Sequence, residues 1–125
     1  MLNQVGFFIA DGFRRINNRN ERKDLYLYMS SELAAVKAIL TQLKPGLCDK
    51  YGVDTLGLFG SIVRDDYTDE SDIDIIVTFS RRVGMEFIDL ADELESILKR
   101  KVDLVSKNGV KERYLRVIEP QIVYV

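Results

Sequence analysis

Histidine is absent from this chain of 125 residues, and cysteine occurs once, at Cys48. Without imidazole, the sequence excludes serine-histidine and cysteine-histidine catalytic pairs, a histidine general base and histidine-ligated zinc. A single cysteine cannot close an internal disulfide, which fits a reducing compartment. We expect Cys48 to be a small buried apolar residue rather than a nucleophile.

Long apolar runs and a large charge imbalance are also missing. No stretch is long enough to span a bilayer, and the N-terminus lacks the basic start and apolar core of a secretion signal, so a cytoplasmic protein is expected. The net charge of −2 gives no general attraction for nucleic acid, and direct nucleic-acid binding is not expected. The hydrophobic content of 46% is typical of a globular protein.

The sequence predicts a polar, mobile N-terminal extension, residues 1–28, and a single domain, residues 29–125. An apolar stripe of leucine and valine predicts an amphipathic helix from Ser30 to about Tyr51, with Pro45 kinking it or starting a second short helix. Gly52 is expected to end this element.

Strands and helices then alternate. The pattern predicts a strand over 53–59, a strand over 72–79, a helix over 84–100 with Ile97 among its inward residues, a strand around Asp103, a helix stopped by Pro120 and a terminal strand. Three basic residues, Lys99 to Lys101, are expected to complement the dipole of the preceding helix, with attraction of a triphosphate as the less favoured role. This alternation indicates an α/β (α+β) fold with helices packed on a mixed sheet.

Two aspartates at the start of the second strand are the first candidate functional residues. Side chains alternate along a strand, so Asp72 and Asp74 share one face, about 6–7 Å apart, while Ile73 and Ile75 share the other. At an effective dielectric of about 20 such carboxylates repel by about 2–3 kcal/mol. Mg²⁺ takes carboxylate, water and phosphate oxygens as ligands, so the pair indicates a metal that arrives with a phosphorylated ligand.

A glycine-serine pair follows the first strand. Gly60 lets the backbone approach a ligand closely, and the amides and hydroxyl at Ser61, where a helical turn begins, can bind phosphate oxygens. Arg64, three residues on, fits either a phosphate ligand or a structural ion pair with a nearby acid. The other acidic residues of this region are expected to form a solvated loop; they are Asp65, Asp66, Asp69 and Glu70.

Gly60-Ser61, ten residues and then Asp72-x-Asp74 at a strand start resembles the signature of the DNA polymerase beta-like nucleotidyltransferases. The segments 56–64 and 71–77 are similar to the minimal nucleotidyltransferase (MNT) family, which includes the MntA-type antitoxins. The likeness extends from about Met29 to Val125. That family carries a third carboxylate on a later strand, and Asp103, flanked by Val102 and Leu104, matches it.

The resemblance implies a mechanism. Two Mg²⁺ ions would be held by Asp72, Asp74 and Asp103, and the β,γ-phosphates of ATP by Gly60 and Ser61. Attack of an acceptor hydroxyl on the α-phosphate would transfer AMP and release pyrophosphate. Asp103 is the group expected to assist deprotonation, since no histidine is present.

The acceptor is the open part of this interpretation. The chain ends soon after the catalytic core, which favours a partner protein as acceptor. The resemblance implies transfer of AMP to a tyrosine of a HEPN-domain RNase toxin, which would make this chain the antitoxin of a type VII-like pair. Three alternatives stay open: a small-molecule acceptor such as an aminoglycoside, a non-catalytic antitoxin that neutralises its partner by binding, and a structural cation site without nucleotide.

Overall fold

The computed structural model describes residues 18–64 and 66–125, with side chains described from residue 32 onward. The helices and strands in chain order are α1 (Asn18–Tyr51), β1 (Val53–Phe59), β2 (Ile73–Phe79), α2 (Glu86–Leu98), β3 (Val102–Ser106), α3 (Glu112–Ile118) and β4 (Val123–Tyr124). Short 3₁₀ turns occupy Gly60–Ile62, Lys107–Gly109 and Glu119–Gln121. Among the described helices, none is both long and apolar enough to cross a membrane.

The four strands form one mixed sheet in the order β3-β2-β1-β4. β1 runs antiparallel to both β2 and β4, whereas β2 and β3 are parallel and are joined through α2. A parallel pair needs such a crossover, because a tight turn can only reverse the chain direction. The predicted α/β fold on a mixed sheet is therefore confirmed.

One face of the sheet packs against α1 and α2 to form the core. Alternate residues of β1 and β2 point into it, as do residues spaced three to four apart on the helices; the fully buried ones include Leu40, Leu56, Leu58, Ile73, Ile75, Val77, Leu90 and Leu94. Glu93 ties the two helices together, because its carboxylate accepts hydrogen bonds from the Tyr51 hydroxyl at 2.7 Å and the Lys50 ammonium at 3.1 Å.

The opposite face of the sheet is partly covered by the chain that follows β3. The 3₁₀ turn at Lys107–Gly109 contacts β2, and Ile76, which points away from the helical side, is 1% exposed. A side chain at Gly57 would collide with Ile122 and Tyr124. Glycine at this position of β1 therefore leaves room for the side chains of β4 and of the turn that precedes it. The end of the face nearest the start of β2 carries Asp74.

Three local predictions differ from the structure. Pro45 does not start a second helix but lies inside α1, where it removes one backbone donor while the buried residues Leu40 and Leu47 anchor the chain on either side of it. The alternative expectation, a kink at Pro45, stays a prediction. Cys48 is exposed, because it lies about 100° around the helix from Leu47, which takes the core position. Ile97 is also exposed, at 37%, whereas Leu90 and Leu94 carry the buried stripe of α2.

The boundary at residue 29 stays a prediction. Residues 1–17 of the predicted extension lie outside the described residues, and residues 18–28 form the first turns of α1, which runs through the boundary without a break.

Candidate active site

The sheet places two of the three predicted carboxylates side by side. In the parallel pair, Asp74 of β2 stands opposite Asp103 of β3, and on its other side Asp74 stands opposite Phe59, the last residue of β1. Asp72 lies one residue before β2 begins and is exposed. The neighbours of Asp74 and Asp103 along their strands, Ile73 and Val102, point into the core. Both carboxylates therefore face away from α1 and α2.

The pKa of Asp74 reflects its burial and the charges around it. Partial burial, then the charges of Asp103 and Asp72, together raise the pKa of Asp74 from 3.8 to about 6, and the Arg64 guanidinium opposes the shift. A hydrogen bond between the Asp74 and Asp103 carboxyls also favours the protonated form of Asp74. The site thus concentrates negative charge that the protein itself does not neutralise.

The backbone of Gly60 packs directly against the Asp74 carboxylate. Its φ is +78°, in the left-handed region that glycine adopts without strain. A Cβ built at this position would strike a carboxylate oxygen of Asp74 and lie 3.0 Å from its Cγ. Both the backbone conformation and the limited space therefore require glycine at position 60. The turn at Gly60 and Ser61 is thus in direct contact with Asp74, which follows Gly60 by fourteen residues in the sequence.

The turn after β1 is a single 3₁₀ turn rather than the start of a longer helix. The Gly60 carbonyl accepts hydrogen bonds from the amides of Val63, at 3.0 Å, and Arg64, at 3.1 Å. So short a turn has almost no macrodipole, which removes one of the two reasons for expecting phosphate affinity here. Any phosphate contact at this turn must come from its local amides and from the half-buried Ser61.

Arg64 forms the structural ion pair that was one of its two predicted roles. Its guanidinium lies 3.3 Å from the Asp66 carboxylate, and both side chains are at least half exposed. An exposed pair of this kind contributes little to stability, about 0–1 kcal/mol. Because Arg64 also lowers the pKa of Asp74, its charge is felt at the carboxylates. Its role as a phosphate ligand stays a prediction.

The contacts of Arg100 differ from those that the sequence predicted. Arg100 was expected to complement the dipole of α2, but its guanidinium instead reaches the loop that precedes Asp72 and donates to the backbone carbonyls of Thr68, Asp69 and Ser71. No sequence pattern links an arginine after a helix to a loop about thirty residues earlier. A basic residue immediately before a carboxylate-bearing strand was the only available signal.

The donor chemistry of the site fits a hard divalent cation. Carboxylate oxygens are the ligands that Mg²⁺ prefers. Burial and the charges of Asp103 and Asp72 raise the pKa of Asp74, and a bound cation would offset the repulsion among these charges. Within the described part of the chain, no three acidic, thiol or imidazole side chains are already gathered around one point. Mg²⁺ commonly completes its shell with water and substrate phosphate, so two carboxylates and a nucleotide form a sufficient set.

The raised pKa of Asp74 makes the stability of the metal-free protein depend on pH. The folded state holds this proton more tightly than the unfolded state, so the contribution of Asp74 is unfavourable above pH 6 and disappears below about pH 4. Asp74 is partly exposed and therefore screened, so we expect the free energy of unfolding to gain roughly 1 kcal/mol from this group as the pH falls through that window. Urea unfolding in EDTA at several pH values measures this change in the free energy of unfolding. Asp74→Asn is the reference, because it has no ionisable group at position 74. Parallel pH profiles for the two proteins would contradict the shift.

The chain matches the family model described as a nucleotidyltransferase domain over residues 40–123. It is 37% identical over 94 residues to the protein adenylyltransferase MntA of Thermococcus cleftensis, an alignment that covers 74% of this chain and 95% of MntA. This chain belongs to the nucleotidyltransferase family. The resemblance drawn from Gly60-Ser61 and Asp72-x-Asp74 is thereby confirmed, as is the expectation of a nucleotidyl-transferring enzyme.

Solved structures agree with this family assignment. A proposed minimal nucleotidyltransferase shares 27% identity and a TM-score of 0.60, over 76% of this chain and 93% of that chain. The MNT antitoxin complex with a tri-AMPylated HEPN toxin from Shewanella oneidensis matches at 22% identity and a TM-score of 0.55, over 74% of this chain and 70% of that chain. The second likeness concerns the fold alone.

Proposed function

We propose that this nucleotidyltransferase transfers AMP from ATP to a tyrosine of a HEPN-domain RNase toxin and acts as the antitoxin of that partner. The observation that carries the proposal is that Asp74 pairs with Asp103 across the parallel strands, while Gly60 packs against the Asp74 carboxylate. A metal-assisted phosphoryl site needs carboxylates that converge beside a phosphate-binding turn, and these residues supply both parts.

Each residue has a proposed task. Asp72, Asp74 and Asp103 hold Mg²⁺, for which we propose two ions, and the turn at Gly60 and Ser61 holds the phosphates of ATP. When bound, the metal supplies Lewis-acid stabilisation of the phosphoryl oxygens. The acceptor oxygen forms a bond to the α-phosphorus as the bond to the bridging oxygen breaks, pyrophosphate leaves, and Asp103 receives the acceptor proton.

The choice of a protein acceptor rests on the relatives. The Thermococcus cleftensis protein is named a protein adenylyltransferase, and the Shewanella oneidensis structure holds an AMPylated HEPN toxin with its MNT antitoxin. The alignment spans 95% of the length of the former. ATP and such a toxin meet in the cytoplasm, which we propose as the location.

A labelling experiment tests the proposal. The protein is incubated with Mg²⁺ and ATP labelled at the α-phosphate in a lysate of the source organism, and the products are separated on a denaturing gel. We expect one labelled protein band that is lost with Asp72→Ala/Asp74→Ala and is absent when the label is on the γ-phosphate. Label that is removed by dialysis instead would indicate a small-molecule acceptor, and would contradict the proposed partner.

A further inference from the structure

Arg100 connects the two strands that carry the candidate carboxylates. It lies between the end of α2 and the start of β3, three residues before Asp103. One terminal nitrogen of its guanidinium donates to the carbonyls of Asp69 at 2.7 Å, Ser71 at 2.8 Å and Thr68 at 3.2 Å. Ser71 immediately precedes Asp72. The Arg100 side chain thus reaches from the segment that precedes β3, the strand of Asp103, to Ser71, the residue before Asp72.

The same guanidinium is also fixed by an aromatic ring. Its central carbon lies 5.0 Å from the centre of the Tyr67 ring, and Tyr67 is 6% exposed. An arginine that stacks on a buried ring and donates to several carbonyls has one strongly preferred position. The loop gains internal order as well, because the Ser71 hydroxyl accepts from the Thr68 amide at 3.0 Å and the Ser71 amide donates to the Thr68 carbonyl at 3.0 Å.

The backbone beside Arg100 completes the connection. The Lys101 carbonyl accepts a hydrogen bond at 2.9 Å from the amide of Ile73, the first residue of β2, which lies between Asp72 and Asp74. The left-handed conformation of Lys99, with φ of 58°, turns the chain out of α2 so that Arg100 and Lys101 can make these contacts. Arg100 and Lys101, which lead into the strand of Asp103, therefore contact the residues on both sides of Asp72, namely Ser71 and Ile73.

We infer that Arg100 is a positioning residue that holds Asp72 in place relative to Asp74 and Asp103, and so determines the affinity of the carboxylates for the divalent cation. This inference rests on the proposed function for its catalytic consequence, though not for the cation binding itself. The carbonyl contacts and the Tyr67 ring both engage the guanidinium, so its observed contacts are with the loop that precedes Asp72. Loss of a residue that orients metal ligands lowers metal affinity or activity by about 10- to 100-fold.

The test compares Arg100→Ala and Arg100→Lys with the wild-type protein and with Arg116→Ala. Arg116 is a suitable control because it pairs with Glu112 on the exposed surface of α3, at 3.2 Å, and both side chains are at least 75% exposed. The first readout is the dissociation constant of Mn²⁺, used as a spectroscopic probe without nucleotide. We expect it to rise about tenfold or more in Arg100→Ala, to rise less in Arg100→Lys, whose ammonium keeps a charged donor, and to be unchanged in Arg116→Ala.

The second readout is hydrogen exchange at two amides, one at each end of β2. The Ile73 amide reports on the junction that Arg100 holds, whereas the Ser80 amide, bonded to the Gly52 carbonyl at 2.7 Å, reports on the far end of β2. We expect faster exchange at Ile73 alone in Arg100→Ala. Equal acceleration at both amides, with Mn²⁺ affinity unchanged, would reduce Arg100 to a general stabilising residue and overturn the inference.

The catalytic readout separates this inference from the proposed function. In the AMP-transfer assay we expect Arg100→Ala to require about tenfold more Mg²⁺ for half-maximal rate, with Arg100→Lys intermediate. If the wild-type protein transfers no AMP while the Mn²⁺ and exchange effects persist, the proposed function fails and the positioning role stands. If the wild-type protein is active and Arg100→Ala matches it in Mn²⁺ affinity and Mg²⁺ requirement, the positioning role fails alone.

Discussion

Asp74→Asn should raise the melting temperature of the metal-free protein and, in the same variant, reduce AMP transfer by at least about 10³-fold. Partial burial and the charges of Asp103 and Asp72 hold the pKa of Asp74 at about 6, so at pH 7.5 the folded state carries an unfavourable charge that asparagine removes. After screening this is worth about 1 kcal/mol, or about 3–5 °C. The activity falls because metal-ion catalysis supplies several kcal/mol of transition-state stabilisation.

The two effects are measured on the same preparations, by thermal unfolding in EDTA and by transfer of labelled AMP with Mg²⁺. Asp92→Asn is the matched control, since Asp92 is an exposed carboxyl of α2 and lies outside the sheet. It should change neither property. A lower melting temperature for Asp74→Asn would contradict the charge repulsion at the site, and retained activity would contradict the catalytic assignment of Asp74.

Gly60→Ala is expected to have the second largest effect, a loss of AMP transfer of about 10²-fold or more. The new methyl group would occupy the space of the Asp74 carboxylate and would require a left-handed backbone, which costs about 1–2 kcal/mol for a residue with a side chain. Asp74 must then move, and a misplacement of about 1 Å in a catalytic group costs about 10²-fold. Gly84→Ala is the control, because a Cβ there meets nothing within 4 Å.

A double variant identifies the cause of the Gly60 effect. If the clash with Asp74 dominates, Asp74→Ala makes room for the new methyl group, and Gly60→Ala/Asp74→Ala is less destabilised than the sum of the two single variants. Urea unfolding of the four proteins measures this coupling. Strictly additive free energies would contradict the contact, and would leave only the left-handed backbone as the cost of replacing Gly60.

The sequence predicts the parts of the site that depend on local periodicity. Alternation along β2 assigns Asp74 to the face opposite Ile73 and Ile75, and the same rule assigns Asp103 to the face opposite Val102. The strand at 53–59 and the glycine that follows it are also found where they were expected, because apolar β-branched runs that end at glycine are strong local signals.

The parts that depend on register and on distant contacts do not follow from the local pattern, and the proximity of Asp74 and Asp103 was expected only from the family resemblance. The pairing of Asp74 with Asp103 is decided by how α2 carries the chain from β2 to β3, and single-residue slips of that register leave the sequence pattern unchanged while moving the carboxylates apart. The contacts of Arg100 with the loop at 67–71 have the same origin. Cys48 shows the reverse case, in which an apolar residue type is exposed because its neighbour Leu47 holds the core position.

The most direct test of the account uses a HEPN-domain RNase toxin, the proposed partner, produced together with this protein and then purified from it. The mass of the intact toxin and its RNase activity are measured after coexpression with the wild-type protein or with Asp72→Asn/Asp74→Asn. The account predicts a toxin whose mass is increased by one or more AMP groups on tyrosine and whose RNase activity is lost, and an unmodified, active toxin with the double variant. A toxin of unchanged mass that both proteins silence equally would contradict catalysis, and would mean that binding alone neutralises the partner.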